Sequence, residues 1–445
     1  MTARSRSLIL AACMPAADLL IKPQKPTFID LFAGCGGFSL GFCQAGWQGV
    51  FAIERDASAF KTFSSNFLDS NSEYPFLWPE WLEKKNVDIR RALRDHRSEL
   101  RKLRGSIDAI IGGPPCQGFS FAGHRRRTDT RNQLFRAYID FVKVVRPRFV
   151  LIENVRGICI EHGKKQRLIR KNGRPAIPFA QRIVDALKEL GYCTRDPELV
   201  QASDFGVPQR RPRVFFFAYR KDAVSGVAEL FKTLYESRRG FLQQRSLPVK
   251  RPVHVEEAIS DLIRKHGTVK CEDKSSPKGF RQGLYGARES KYQSLLRNGH
   301  RPGIPAQSHR FANHEDETEK RFRKIQKEYR KGVQLHQRDR AELDISKHVV
   351  VPLRGDQIGH TLTTLPDDYI HYCEPRILTV REYARLQSFP DEFVFDGPFT
   401  SGGDRRKKTC PRYTQIGNAV PPLLGEALAL ALLKIHAAED AVQAE

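Results

Sequence analysis

The sequence predicts a doubly wound α/β fold with a largely parallel sheet, joined to a second, smaller domain. Two observations carry this. Short apolar runs alternate with helix-period segments through the first half of the chain, the pattern of strands joined by crossover helices. The chain of 445 residues is also too long for one ordinary core.

The strand-like runs begin at Thr27–Phe32, which leads into the glycine-rich turn Gly34-Cys35-Gly36-Gly37 and a helix carrying Leu40, Phe42 and Ala45. A second run, Phe51–Ile53, ends in Glu54. The stretch from Asn86 to Ile89 reads as the end of a third strand. Ile107–Ile111 is a further buried run, broken by Gly112-Gly113-Pro114-Pro115 immediately before Cys116. A helix around Leu134–Val145 and a strand Phe149–Val155 follow, and Val214–Ala218 closes the alternation. A C-terminal helix is expected from about Leu423 to His436.

Net charge is +24, which points to a polyanionic partner. The excess is spread along the chain: residues 220–375 hold 30 Lys/Arg against 21 Asp/Glu, their proportional share. Within them Lys320–Lys331 and Lys250-Arg251 are candidate phosphate contacts. The nine cysteines show neither CxxC pairs nor Cys/His metal spacing, so a reducing compartment is expected, with no metal. No uninterrupted apolar run reaches the ~18 residues of a membrane span. The apolar stretch Leu8–Cys13 is shorter than the roughly 7–15 residues of a secretory signal core, so residues 1–26 read as a disordered tail.

Ligands of open α/β sheets bind at the carboxyl ends of the strands. Gly34 and Gly36 let the backbone approach a ligand, and Glu54 is placed for ribose hydroxyls; NAD, FAD and S-adenosylmethionine all fit. Cys116 and Glu153 lie at the exits of two separate strands and can share one cleft. Arg213 precedes its strand, so it joins them only if that strand runs antiparallel. A thiolate, a carboxyl group and a guanidinium suit addition to an electron-poor aromatic ring better than hydride transfer.

These motifs, in their order, closely resemble the DNA (cytosine-5)-methyltransferases. The match rests on Asp30–Gly37, Pro114-Pro115-Cys116-Gln117, Glu153-Asn154-Val155, Gln209–Arg213, Leu378–Pro390 and Gln415–Pro422. The resemblance implies a Rossmann-like S-adenosylmethionine-dependent methyltransferase domain with a smaller target-recognition domain. It implies a covalent bond from Cys116 to a cytosine flipped out of duplex DNA, with Glu153, Arg213 and Arg211 completing the catalytic set. S-adenosyl-L-methionine would meet Phe32, Gly34, Gly36, Glu54, Asp88, Ile89, Pro115, Asn418 and Val420. Gln117 to Phe135 would be a mobile loop whose Arg125–Arg127 and Asp129–Asn132 close over the DNA.

The implied organisation is a catalytic domain at 27–219, target recognition at 220–375, and a segment at 376–445 that completes the catalytic domain. A cytoplasmic, prokaryotic, monomeric enzyme is expected, with a cognate restriction endonuclease as functional partner. Two alternatives remain: an RNA cytosine-5 methyltransferase, and a catalytically silent DNA-binding relative. The first is disfavoured by the absence of a Cys-Phe-Thr signature and by the long variable region. The second is disfavoured by the joint presence of Cys116, Glu153 and Arg213.

Overall fold

The computed structural model describes residues 25–115, 130–159, 179–399 and 409–444. Expectations for the 1–26 tail up to residue 24, for Cys116, and for the arginines and Asp129 of the following loop lie outside the described residues. So do those for the side chains at 130–132.

A seven-stranded sheet forms the centre. Its strands are β1 (Thr27–Leu31), β2 (Gln48–Ile53), β3 (Ala109–Gly112), β4 (Phe149–Asn154), β5 (Tyr192–Thr194), β6 (Glu198–Gln201) and β7 (Pro212–Arg220). The order is β2-β1-β3-β4-β7-β5, with β6 also paired to β7. β2, β1, β3 and β4 pair in parallel, whereas β7 pairs antiparallel with β4, β5 and β6. β1, β3 and β4 are buried along their whole length, which is why they read as continuous apolar runs.

The Asn86–Ile89 stretch is not the expected third strand. Asp88 caps the helix Ile89–Asp95, its carboxylate accepting the Arg90 N–H at 2.9 Å. An Asp before a short amphipathic segment is a helix start, and that signal outweighs the apolar pair Val87 and Ile89.

The C-terminal helix runs from Pro422 to Ala444, longer than expected at both ends. It lies against the helix Gly37–Gln44. A Cβ at Gly41 would stand 2.5 Å from the Glu426 amide nitrogen, so only glycine permits this approach. Trp47 Nε1 donates to the Ala429 carbonyl at 3.1 Å across the same contact. By length and composition alone the stretch Arg412–Val442 could cross a membrane, but 78% of its most apolar window is buried inside the fold. Its apolarity therefore serves the core.

Parts of the 220–375 stretch pack directly on the elements around it. Its helix Leu230–Gln244 packs on the C-terminal helix, and Val255–Ile259 packs on the helix Val380–Leu386. Beyond these lies a small antiparallel sheet of β8 (Thr268–Lys270), β9 (Arg281–Leu284) and β10 (Pro305–Arg310), ordered β10-β9-β8. A separate apolar cluster gathers Ile325, Leu335, Leu343, Val350 and Ile370.

Buried charges also join this stretch to the remainder, through Asp261 and Arg385. The helix Val380–Leu386 is buried at every residue although it contains Arg381, Glu382 and Arg385. Arg385 meets both Asp391 oxygens at 2.6 Å and both Asp261 oxygens at 3.2 Å. Arg297 meets Asp261 at 3.1 Å. Arg376 grips both oxygens of Glu382, at 2.7 and 2.6 Å. Burial alone would raise the Glu382 carboxyl, yet Arg376 and His371 outweigh it and hold the group well below the usual carboxylate range. Thr379 caps the helix reciprocally with Glu382.

Removing one partner from such a cluster leaves an uncompensated buried charge. Arg385→Ala should therefore destabilise the fold by about 3–5 kcal/mol in denaturant titration, well beyond the effect of an exposed pair such as Arg338–Glu342.

Candidate active site

The glycine turn after β1 is held in a shape that few side chains tolerate. Phe32, Gly34 and Gly36 have φ of 62°, 58° and 95°. The Gly36 N–H donates to the Ala33 carbonyl at 2.9 Å, and Gly36 then precedes the helix Gly37–Gln44. A Cβ placed on Gly34 would meet nothing within 4 Å, so this backbone borders open space.

Glu54, at the exit of β2, stabilises that turn. Its Oε2 accepts the Gly34 N–H at 2.9 Å and its Oε1 accepts the Asp56 N–H at 2.7 Å. Burial pushes its carboxyl pKa up, against the lowering effect of those two donors. Asp88 and Ile89 are drawn alongside, because the neighbouring Val87 N–H donates to the Glu54 carbonyl at 2.7 Å and Asn86 Nδ2 donates to the Arg55 carbonyl at 2.8 Å. The Asp88 carboxylate is bidentate with Arg90, at 2.9 Å on each side. That contact holds its pKa below the usual range.

The C-terminal turn closes the same end of the sheet. A Cβ on Gly37 would lie 2.4 Å from the Val420 carbonyl oxygen, so the two backbones touch. Val420 is buried and Asn418 is exposed. Phe32, Gly34, Gly36, Glu54, Asp88, Ile89, Asn418 and Val420 thus gather around the exits of β1 and β2. Pro115 follows β3, the strand next to β1.

A second group forms one strand further on. The register of β4 against β7 pairs Glu153 with Phe215 and Asn154 with Val214, which sets Arg213 beside the β4 exit. Arg213 Nε stands 2.9 Å from Glu153 Oε1, both side chains about 11% exposed. The antiparallel course required for Arg213 to enter the cleft is the one observed. Asn154 Nδ2 donates to the Pro114 carbonyl at 3.1 Å, and a Cβ on Gly113 would lie 3.0 Å from Glu153 Oε2. The turn that leads into Cys116 is thereby fixed against the Glu153–Arg213 pair.

Arg211 does not enter this pair. It is fully buried, and its Nη2 donates to the Gly417 and Ala419 carbonyls at 2.8 and 2.9 Å. It ties the lead-in to β7 to the turn that carries Asn418. Asn154 and Gln209 stand within the sequence motifs, where neither carries an expected task. Their signal is available in principle, since an amide next to buried strands must find partners.

Of the basic candidates outside this site, Arg251 is bidentate with Glu257, at 2.6 and 3.0 Å. Lys320 pairs with Glu317, and Arg323 with Glu319.

This mixed sheet, with a glycine turn after β1, an acidic β2 exit and the Gly113–Pro115 turn beside a Glu–Arg pair, has the architecture of an S-adenosyl-L-methionine-dependent methyltransferase fold. The model of the family described as "C-5 cytosine-specific DNA methylase" matches residues 26–434, and the chain belongs to that family. Among its curated relatives is the type II methyltransferase M.DdeI of Desulfomicrobium norvegicum, 32% identical over 417 residues, covering 90% of this chain and 87% of that protein. M1.HphI of Haemophilus parahaemolyticus, also a type II methyltransferase, is 30% identical over 439 residues, covering 97% and 94%. A solved structure described as a "putative DNA modification methyltransferase" encoded within a prophage (E. coli) superposes with a TM-score of 0.59 at 24% identity, covering 93% of this chain and all of that one. The protein is a C-5 cytosine DNA methyltransferase, and its family uses S-adenosyl-L-methionine as methyl donor. The open cradle over Gly34 and the acceptor capacity of Glu54 fit that molecule.

Behind the glycine turn, Asp30 is fully buried and accepts Ser39 Oγ at 2.6 Å. Burial raises its pKa to about 7, opposed by the Ser39 hydroxyl. An acid with a raised folded-state pKa binds its proton more tightly when folded. It therefore lowers stability progressively as pH rises from about 4 to about 7. Asp30→Asn should gain stability relative to the wild type across that window, by a few kcal/mol at most, and the difference should level off above it. Denaturant titration of both proteins from pH 4 to pH 8 measures this.

Proposed function

We propose that this enzyme methylates carbon 5 of cytosine within a specific double-stranded sequence, through a covalent adduct between Cys116 and a flipped-out base. The observation that carries this reading is the Glu153–Arg213 pair at 2.9 Å, set against the Gly113–Pro115 turn that precedes Cys116.

In this reading the duplex releases the cytosine at a cost of a few kcal/mol. The Cys116 thiolate forms a bond to carbon 6, and the electron pair of the carbon 5–carbon 6 double bond moves into the ring. The Glu153 carboxyl holds ring nitrogen 3 and the exocyclic amine, where the developing charge needs hydrogen bonds. Arg213 uses Nε for Glu153 and Nη1 for the Pro212 carbonyl, which leaves Nη2 to reach the base carbonyl oxygen. Arg211 supports the site from behind. Bound S-adenosyl-L-methionine, held by Phe32, Gly34, Gly36, Glu54, Asp88, Ile89, Pro115, Asn418 and Val420, would supply an electrophilic methyl group to carbon 5. Loss of the carbon 5 proton then restores the double bond and expels the thiolate.

Residues 220–375 act as the target-recognition domain on a catalytic body made of 27–219 and 376–445. Phosphate contacts position the duplex there, and base-edge contacts specify the site. The type II names of these bacterial relatives support protection of host DNA against a cognate restriction endonuclease in a prokaryotic cytoplasm.

Tritium from labelled S-adenosyl-L-methionine should enter duplex DNA and not transfer RNA. A duplex carrying 5-fluorocytosine should trap a covalent complex, since fluorine cannot depart as a proton does. Cys116→Ser should abolish trapping, and Glu153→Gln should slow methyl transfer by about 10²–10³-fold. Methylation by Cys116→Ser at the wild-type rate would refute the nucleophile assignment.

A further inference from the structure

Two buried side-chain amides lie behind the site, and the reaction above gives them no task. Gln209 opens the segment that ends at Arg213, and Gln387 follows the helix Val380–Leu386; both are fully buried. Gln209 Nε2 donates to the Leu386 carbonyl at 2.8 Å and to Gln387 Oε1, while its own Oε1 accepts the Leu362 N–H at 3.0 Å. Because Gln387 Oε1 is the acceptor, its Nε2 must face the other way. There it donates to the Ile416 carbonyl at 3.0 Å and the Ala419 carbonyl at 2.6 Å. Each amide is thus locked in one orientation by the other.

The Ala419 carbonyl also accepts Arg211 Nη2 at 2.9 Å. A single peptide oxygen between Asn418 and Val420 is therefore held by two donors from separate elements. Val420 in turn abuts Gly37 at the end of the glycine turn. We propose that Gln387 is a positioning residue, which fixes the Asn418–Val420 turn in the conformation that receives S-adenosyl-L-methionine. This rests on the assignment of that turn to the methyl donor under Proposed function. A buried amide serving the core alone would have no reason to favour one substrate. An amide that orients this turn should act on the donor and spare the DNA.

The test is binding of S-adenosyl-L-methionine to the full chain by calorimetry, with duplex affinity measured alongside. Gln387→Met keeps the length and removes both donors, leaving the Ile416 carbonyl buried without this partner. Its dissociation constant for S-adenosyl-L-methionine should rise about tenfold or more, with duplex affinity changed less than about twofold. In turnover, KM for the donor should rise while kcat at saturation is retained. Gln387→Glu retains the shape and the acceptor toward Gln209 but not the donor toward Ala419. It should show the same selective loss, and it carries the measurement if the Met variant does not fold. Unchanged donor affinity in a folded variant, or equal losses for donor and duplex, would overturn the proposal. A wild-type chain that binds no S-adenosyl-L-methionine would instead overturn the reading beneath it.

Discussion

The antiparallel course of β7 is the constraint on which the site depends. Were β7 parallel to β4, its first residues would lie at the opposite edge of the sheet, far from the β4 exit. Running against β4, it delivers Arg213 to Glu153. The same reversal brings Arg211, just ahead of the strand, against the C-terminal turn, and Gln209 against Gln387, which itself holds that turn. One strand direction therefore joins the base-holding pair to the wall of the donor site.

The parallel half of the fold was legible because its strands are buried on both faces. Phe28, Ile110 and Leu151 sit in uninterrupted apolar runs for that reason. The glycine turn and the acidic β2 exit were legible too, since each has a local backbone cause. The direction of β7 was not, because Val214–Ala218 reads the same either way. Asn86–Ile89 misled for a related reason: a short apolar pair beside a capping Asp fits a strand or a helix start, and only the Asp88 carboxylate's bond to Arg90 decides.

The helix Val380–Leu386 shows a different limit. Arg381, Glu382 and Arg385 are all fully buried, although such side chains are rarely so unless paired. Their partners Asp261, Arg376 and Asp391 come from up to 124 residues away, and no periodicity in one segment can announce such pairing. The sequence motif was recognisable as a unit, but its physical meaning lies in the buried charges it neutralises. Such pairs cost desolvation energy and return geometric definition, because a carboxylate gripped by a guanidinium fork has few alternative poses.

That buried fork also divides the 220–375 stretch into two kinds of territory. Asp261 and Arg297 are anchors, sealed inside the protein by Arg385 and by each other. The lobe around Ile325 and Leu343 carries its own apolar cluster and hangs outside those rivets. An insertion between the anchors would disturb the buried charges around Arg385 directly, whereas one within that lobe would reach the cluster through Gln326, which donates to the His371 and Glu374 carbonyls.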